Sequence, residues 1–204
     1  MNSAAKTRGL LLGRLLCAIV VLLAAKAITA AVLGPYNAYV DRIYACAPGD
    51  SNSTEEIVNF IEVSKYDIRK QHILQRVTGN VTVSIKEGIN NAMWAKARLD
   101  SRVHAHWADN AFTFSFDKAC EQGRTHMPGV WSTFFKLDPT VNPCRVPPAI
   151  YRMDNEPINW TFPKFPIMPH GSWTFHLTVG QGKNTVLCNN VDIRSVAKQR
   201  PGTR

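Results

Sequence analysis

The chain has 204 residues, of which 45% are hydrophobic and 19% charged, so collagen-like, coiled-coil and disordered classes are excluded. The formal net charge of +9 suggests a nucleic-acid ligand, but eight of the 24 basic residues lie in residues 1–30 and 194–204, where no acidic residue occurs. The remaining 16 basic residues face 15 acidic residues, a net charge of +1. A nearly neutral body provides no basic face for phosphate contacts, so nucleic acid is not an expected partner.

Residues 1–30 have the organisation of a secretory signal peptide. Lys6 and Arg8 precede an apolar run, and small residues follow it. The alternative is an uncleaved signal anchor over residues 15–33, but Lys26 interrupts that stretch, and a membrane span normally needs about 20 apolar residues. We therefore expect a cleaved leader and a secreted, extracellular product.

Three Asn-x-Ser/Thr sequons are consistent with passage through the secretory pathway. They begin at Asn52, Asn80 and Asn159. Each triplet alone is a weak signal, but the three together, behind a leader, predict a glycoprotein.

Four cysteines remain once the leader is removed. They are Cys46, Cys120, Cys144 and Cys188, and no two of them form a C-x-x-C pair of the kind that binds zinc. In an oxidising compartment four cysteines predict two disulfides, for which three pairings are possible.

Alternation of apolar and polar residues predicts short strands along most of the body. In chain order they cover residues 57–63, 80–86, 93–100, 111–117, 173–179 and 186–193, with residues 180–184 as the turn of a final hairpin. Such alternation is typical of antiparallel sheets with one face in water. The sequence therefore predicts an all-β, two-sheet sandwich over residues 31–193, followed by a basic flexible tail over residues 194–204.

One segment departs from this alternation. Within residues 121–143, Val130, Trp131, Phe134 and Phe135 have the spacing of one apolar helix face, and Pro128 suits a first helical turn. The sequence thus predicts one short helical loop, which acts either as a mobile gate or as a fixed plug at one end of the sandwich.

The order of motifs in the second half of the chain resembles a known family. The motifs are Phe116-Asp-Lys-Ala-Cys120, then Asn142-Pro-Cys144-Arg-Val-Pro-Pro-Ala-Ile-Tyr151, then Pro163-Lys-Phe-Pro-Ile-Met-Pro-His-Gly171-Ser-Trp-Thr-Phe175, and a strand that ends in Cys188. They resemble the ganglioside-activator branch of the ML lipid-recognition superfamily. The chain looks most similar to the insect secreted proteins of the CheA/CheB type, which are implicated in pheromone sensing.

This resemblance implies an immunoglobulin-like β-sandwich opened as a lipid-binding β-cup, without catalysis, cofactor or metal. It implies the disulfides Cys46–Cys188 and Cys120–Cys144. It also implies a carrier or presenter of a lipid or hydrophobic semiochemical in chemosensation, with a membrane surface or chemoreceptor as a further partner. Aromatic residues on the inner faces would form the lipid-binding wall: Phe112, Phe114, Phe116, Trp131, Phe134, Phe135, Trp160, Phe162, Trp173 and Phe175.

Three other functions are weighed against this interpretation. The same aromatic residues would fill the core of an extracellular interaction protein that acts on a receptor or channel with no bound lipid. A hydrolase is disfavoured, since Gly171-Ser172-Trp173 lacks the second glycine of a nucleophile elbow. A metal site at His104-Ala-His106 is disfavoured because the sequence offers no convincing third ligand.

Overall fold

The computed structural model of the protein describes residues 33–47, 54, 56–103 and 106–199, without the side chains at positions 102, 103, 106 and 107. The predicted leader, the sequon at Asn52 and the imidazoles of His104 and His106 fall outside this description. No helix in the described part of the chain is long and apolar enough to cross a membrane.

Two antiparallel sheets form the body, with strands numbered in chain order. The large sheet has the spatial order β2 (Tyr36–Ala45), β12 (Asn184–Ala197), β11 (Gly171–Gln181), β6 (Trp94–Val103) and β7 (His106–Phe116). The small sheet has the order β3 (Ile57–Val63), β4 (Gln75–Val83) and β9 (Ala149–Ile158). Two short ladders add β1 (Leu33–Gly34) with β10 (Met168–Pro169), and β5 (Ile89–Asn90) with β8 (Arg145–Val146).

Most of the predicted strands are confirmed, because their apolar faces meet in one core. Val77, Val81 and Val83 from the small sheet pack in the same cluster as Trp173 and Ile193 from the large sheet. The final hairpin joins β11 to β12 through residues 182 and 183, as predicted. The two-sheet sandwich is therefore the architecture of the protein.

At one edge the two sheets are tied by a buried glutamine. Gln75 on β4 donates from Nε2 to the carbonyl of Val40 on β2, at 2.8 Å, and accepts from the Val40 N–H at 2.9 Å. Because Gln75 is 3% exposed, these bonds also satisfy an amide that would otherwise be costly to bury.

Both disulfides implied by the resemblance are present. Cys46–Cys188 links the residue after β2 to its neighbour β12, and Cys120–Cys144 closes the helical segment. The second bond encloses 23 residues, so the chain-entropy model gives it a contribution on the order of 3 kcal/mol.

The helical segment contains two helices instead of one. These are α1 (Ala119–His126) and α2 (Pro128–Phe135), and a 3-10 turn lies at Ile68–Lys70. α1 was not predicted from the sequence because it buries only Ala119 and Cys120 and therefore has no apolar stripe. Pro128 starts a new helix, since its missing N–H is tolerated in a first turn.

The strand predictions also need correction. The strand predicted over residues 80–86 ends at Val83 and starts earlier, because β4 pairs with both neighbours back to Gln75 and Val77. β2 and β9 were not predicted, since a register shift interrupts the pairing of each and obscures a regular alternation.

The predicted flexible tail begins too early. Arg194 pairs with Tyr39 in the sheet, and Ser195 is 2% exposed, because β12 continues to Ala197 along β2. The guanidinium of Arg194 also forms an ion pair with Asp41, at 2.7 Å. The basic character of this segment thus does not keep it out of the sheet.

Candidate functional site

The inner face of the large sheet combines small and large side chains in a way that leaves space. β6 presents Ala95 and Ala97 inward, and Phe116 and Phe114 lie opposite them on β7. On the other side of β6, Leu177 of β11 pairs with Ala97. Because the two alanine side chains are small, they leave space between the larger side chains of the neighbouring strands on this face of the sheet.

Two apolar cavities lie in the described part of the chain, and the first, the large cavity, lies over this part of the sheet. It measures about 430 Å³, within the 300–1,000 Å³ typical of ligand pockets. Its walls come from β6, β7 and β11, from α1 and from the loop before β10. The wall is mainly apolar and includes Leu99, Phe112, Phe114, Phe165, Ile167 and Met168.

The second, the small cavity, measures about 180 Å³ and lies between the two sheets. Ile57 and Val81 of the small sheet line one side, and Val191 and Ile193 of the large sheet line the other. The apolar face of α2 contributes Val130, Trp131, Phe134 and Phe135.

The two cavities share part of their walls. Phe162 and Phe175 line both, with ring centroids 6.4 Å apart. α1 supplies Gly123, which also lines both cavities. The interior therefore offers two adjoining apolar compartments, one in the size range of a ligand and one smaller.

A few polar groups interrupt these walls. The indole N–H groups of Trp131 and Trp160 are buried in the small cavity without an acceptor among the described residues. In the large cavity the Tyr36 hydroxyl and the Nδ1 atom of His126 are likewise buried without a partner there. Apolar walls with few polar groups are typical of sites that bind small molecules.

His126 is the histidine that lines the large cavity. Its ring lies 5.1 Å from the ring of Phe116 and 5.7 Å from that of Phe165, and Nε2 lies 3.1 Å from Gln122 Oε1. Burial lowers the pKa of the imidazole below its ordinary value, and the nearby Lys164 ammonium lowers it further. Both effects favour the neutral ring.

Nine of the ten aromatic residues assigned to the wall line a cavity. Phe112, Phe114 and Phe116 line the large cavity; Trp131, Phe134, Phe135 and Trp160 line the small one; Phe162 and Phe175 line both. Trp173 lines neither. It is 5% exposed, and its indole N–H donates to Ser195 Oγ at 3.0 Å, which is a structural contact.

Sequence reasoning missed the polar side chains of the cavities and the contribution of β3. Asn59 of β3 and Asn189 of β12 both line the small cavity. The alternation Ile57-Val-Asn-Phe-Ile61 already places Asn59 on the face of the two isoleucines, so this residue was open to detection. For Asn189, which lies next to Cys188, no comparable alternation in the sequence indicated an inward-facing position.

α2 has the features of a plug. Trp131 is 6% exposed and Phe134 is 8% exposed, and Phe134 packs edge-on against Trp160 at 6.3 Å. The backbone approaches closely as well, because a Cβ at Gly129 would lie 1.9 Å from the carbonyl oxygen of Asn159. These contacts hold the helix against the end of the small cavity.

The two described sequons differ in exposure. Asn159 is exposed, and its Oδ1 accepts a hydrogen bond from the Thr161 N–H at 2.9 Å. Asn80 is half-buried and stands opposite the exposed Phe60 on the outer face of the small sheet. Both lie away from the cavity walls.

The main cluster of charged groups lies on the outer face of the large sheet. His176 Nε2 lies 2.7 Å from Asp100 Oδ2, and Nδ1 lies 2.5 Å from Asn190 Oδ1, so both ring nitrogens are engaged. Burial by itself raises the pKa of the Asp100 carboxyl, but hydrogen bonds from the Asn110 N–H and His176, with the charge of Arg98, hold that pKa below its ordinary value. Strand alternation separates this cluster from the cavities.

No family model matches the chain, and no curated protein matches its sequence. Among solved structures, the crystal structure of chicken MD-1 complexed with lipid IVa is similar to this chain, with a TM-score of 0.37 and 10% sequence identity. The alignment covers 80% of this chain and 99% of the MD-1 chain.

Proposed function

We propose that the protein is a secreted carrier or presenter of a lipid or hydrophobic semiochemical, which it holds between its two sheets without catalysis. The observation that carries this proposal is the pair of adjoining apolar cavities, which share Phe162 and Phe175. The small cavity lies between the two sheets, and the large cavity lies over β6, β7 and β11 of the large sheet.

The binding energy would come from removing apolar ligand surface from water. At about 25 cal/mol per Å², each 100 Å² of buried hydrocarbon contributes roughly 2.5 kcal/mol. An apolar chain needs no reactive group on the protein, so the absence of a catalytic motif from the sequence is consistent with this function.

We also propose the protein's family, its export from the cell and its role in chemosensation. The motif order from Phe116 to Cys188 supports membership of the ML lipid-recognition superfamily, and the two disulfides support maturation in an oxidising compartment. The leader over residues 1–30 supports export, and the sequons support glycosylation. The chemosensory role, with a membrane surface or chemoreceptor as partner, rests on the resemblance to insect CheA/CheB-type proteins alone.

Native mass spectrometry of the protein secreted from eukaryotic cells tests the proposal. We expect a mass increment of a small molecule that solvent extraction removes, and renewed binding when a fluorescent fatty-acyl probe is added to the extracted protein. Unliganded protein that also fails to bind the probe would overturn the carrier function and favour an interaction protein with a filled sandwich.

A further inference from the structure

The small cavity carries two amide side chains from opposite sheets. Asn59 belongs to β3 of the small sheet and Asn189 to β12 of the large sheet, and both line this cavity. Asn189 is 9% exposed. Asn59 is half-buried, and neither amide forms a side-chain hydrogen bond with a described residue.

Two indole donors belong to the same wall. Trp131 on α2 is 6% exposed and Trp160, just after β9, is 8% exposed, and neither Nε1–H reaches an acceptor among the described residues. An indole N–H can only donate, whereas an amide can donate and accept. The small cavity therefore gathers four side chains that can all donate and that have no hydrogen-bond partner among the residues the structure describes.

Neither cavity offers a charge to pair with a charged ligand group. The described residues that line the two cavities include no Lys, Arg, Asp or Glu, and His126 is held neutral by burial. An ionised carboxylate or phosphate in these walls would lose its hydration without gaining a cation, which is strongly unfavourable. The polar group that fits is an uncharged acceptor.

The two cavities differ in the size of the ligand group that each can hold. The large cavity, at about 430 Å³, is within the range of ligand pockets, while the small cavity, at about 180 Å³, holds only a small group. Phe162 and Phe175 line both, so the two compartments adjoin at these rings.

We infer that the small cavity is a subsite for an uncharged hydrogen-bond acceptor, such as an ester or carbonyl oxygen, on a molecule whose hydrocarbon chain lies in the large cavity. This inference rests on the proposed lipid-binding function and names its ligand class. Asn59, Asn189, Trp131 and Trp160 are the available donors, and since a carbonyl oxygen accepts two hydrogen bonds, two of them would bind it at a time. The ligand is then selected for its acceptor as well as for its chain.

Displacement of a bound naphthylamine probe by three ligands of equal chain length tests the inference. Dodecane has no acceptor, methyl dodecanoate has an uncharged one, and dodecanoic acid is ionised at neutral pH. Because a net hydrogen bond corresponds to about a ten-fold difference in affinity, we expect the ester to compete about ten-fold better than the alkane and better than the acid.

Three variants locate the effect. In Asn189→Leu and Asn59→Leu, which keep the size of the side chain and remove one donor each, we expect the ratio of ester to alkane affinity to fall below the wild-type ratio by about two-fold or more. Asn184→Leu places the same change at the exposed start of β12 and should keep the wild-type ratio. Circular dichroism establishes that each variant is folded, and either inner variant is sufficient for the test.

The outcomes separate the two proposals. An alkane that competes as well as the ester in the wild type, or a ratio unchanged in the folded inner variants, would overturn the acceptor subsite and leave lipid binding intact. An acid that binds most tightly would overturn the uncharged ligand class. A wild-type protein that binds neither the probe nor any of the three ligands would overturn both proposals.

Discussion

Phe162 and Phe175 lie with ring centroids 6.4 Å apart, and both belong to the walls of the two interior cavities. Phe175 is fixed by β11 in the centre of the large sheet, whereas Phe162 comes from the proline-rich segment after β9. The pair therefore lies at the common boundary of the small cavity, between the sheets, and the large cavity over β6 and β7.

Phe175→Asp should abolish binding of a fluorescent fatty-acyl probe, because an unpaired carboxylate in an apolar wall disfavours a hydrocarbon ligand. Phe60→Asp is the matched control, since Phe60 is 69% exposed on the outer face of the small sheet, and it should bind as the wild type does. Probe titrations with circular dichroism check both. A folded Phe175→Asp protein with wild-type affinity would place this side chain outside the binding wall.

Trp131→Ala and Phe134→Ala should each lower the free energy of unfolding by roughly 3–5 kcal/mol, the usual cost of truncating a buried aromatic side chain. Ser132→Ala changes an exposed position on the same helix and should have a small effect. Urea unfolding measures the three differences. If the aromatic variants lost less than about 1 kcal/mol, α2 would be a loosely held gate, and the plug described above would be wrong.

Gly129→Ala should destabilise the protein by about 1–3 kcal/mol, because the new Cβ would meet the Asn159 carbonyl oxygen at 1.9 Å and force α2 away from that backbone. Gly123→Ala in α1 is the matched change, with its nearest contact at an ordinary 3.9 Å from the Trp131 ring. We expect it to be neutral or stabilising by up to about 1 kcal/mol, since alanine favours a helix. Equal melting temperatures for the two variants would show that α2 does not pack closely on Asn159.

Stability should fall on acidification through the range just below pH 6.5, because of His126. Burial lowers the folded-state pKa of this imidazole below its unfolded value of about 6.5. Between those two pKa values the unfolded chain binds a proton that the folded protein does not, so the free energy of unfolding increases with pH there and levels off above it.

In His126→Gln the pH dependence should be shallower, and His72→Gln controls for the loss of an exposed histidine. Chemical unfolding at a series of pH values from 5 to 8, at constant ionic strength, gives the slopes. A slope in His126→Gln as steep as in the wild type would assign the acid sensitivity to other groups.

The sequence by itself determined the local pattern of this protein. The alternation over residues 57–63 matches β3 residue for residue, and Trp131 and Phe134 are the buried residues of a helix that begins at Pro128. Such patterns are readable because each residue's face depends only on the local repeat of a strand or helix. The motif order from Phe116 to Cys188 likewise implied the two disulfide pairings.

The tertiary structure decided which apolar residues fill the core and which line space. Trp173 and Phe175 lie on the same face of β11, yet Trp173 packs into the core and donates to Ser195, while Phe175 lines both cavities. Alternation assigns both to the interior but carries no information about volume. That volume depends on Ala95 and Ala97 of the neighbouring strand and on how far the second sheet lies from the first. The same reason explains Asn189: only the meeting of β12 with β3 and α2 makes its amide part of a cavity wall.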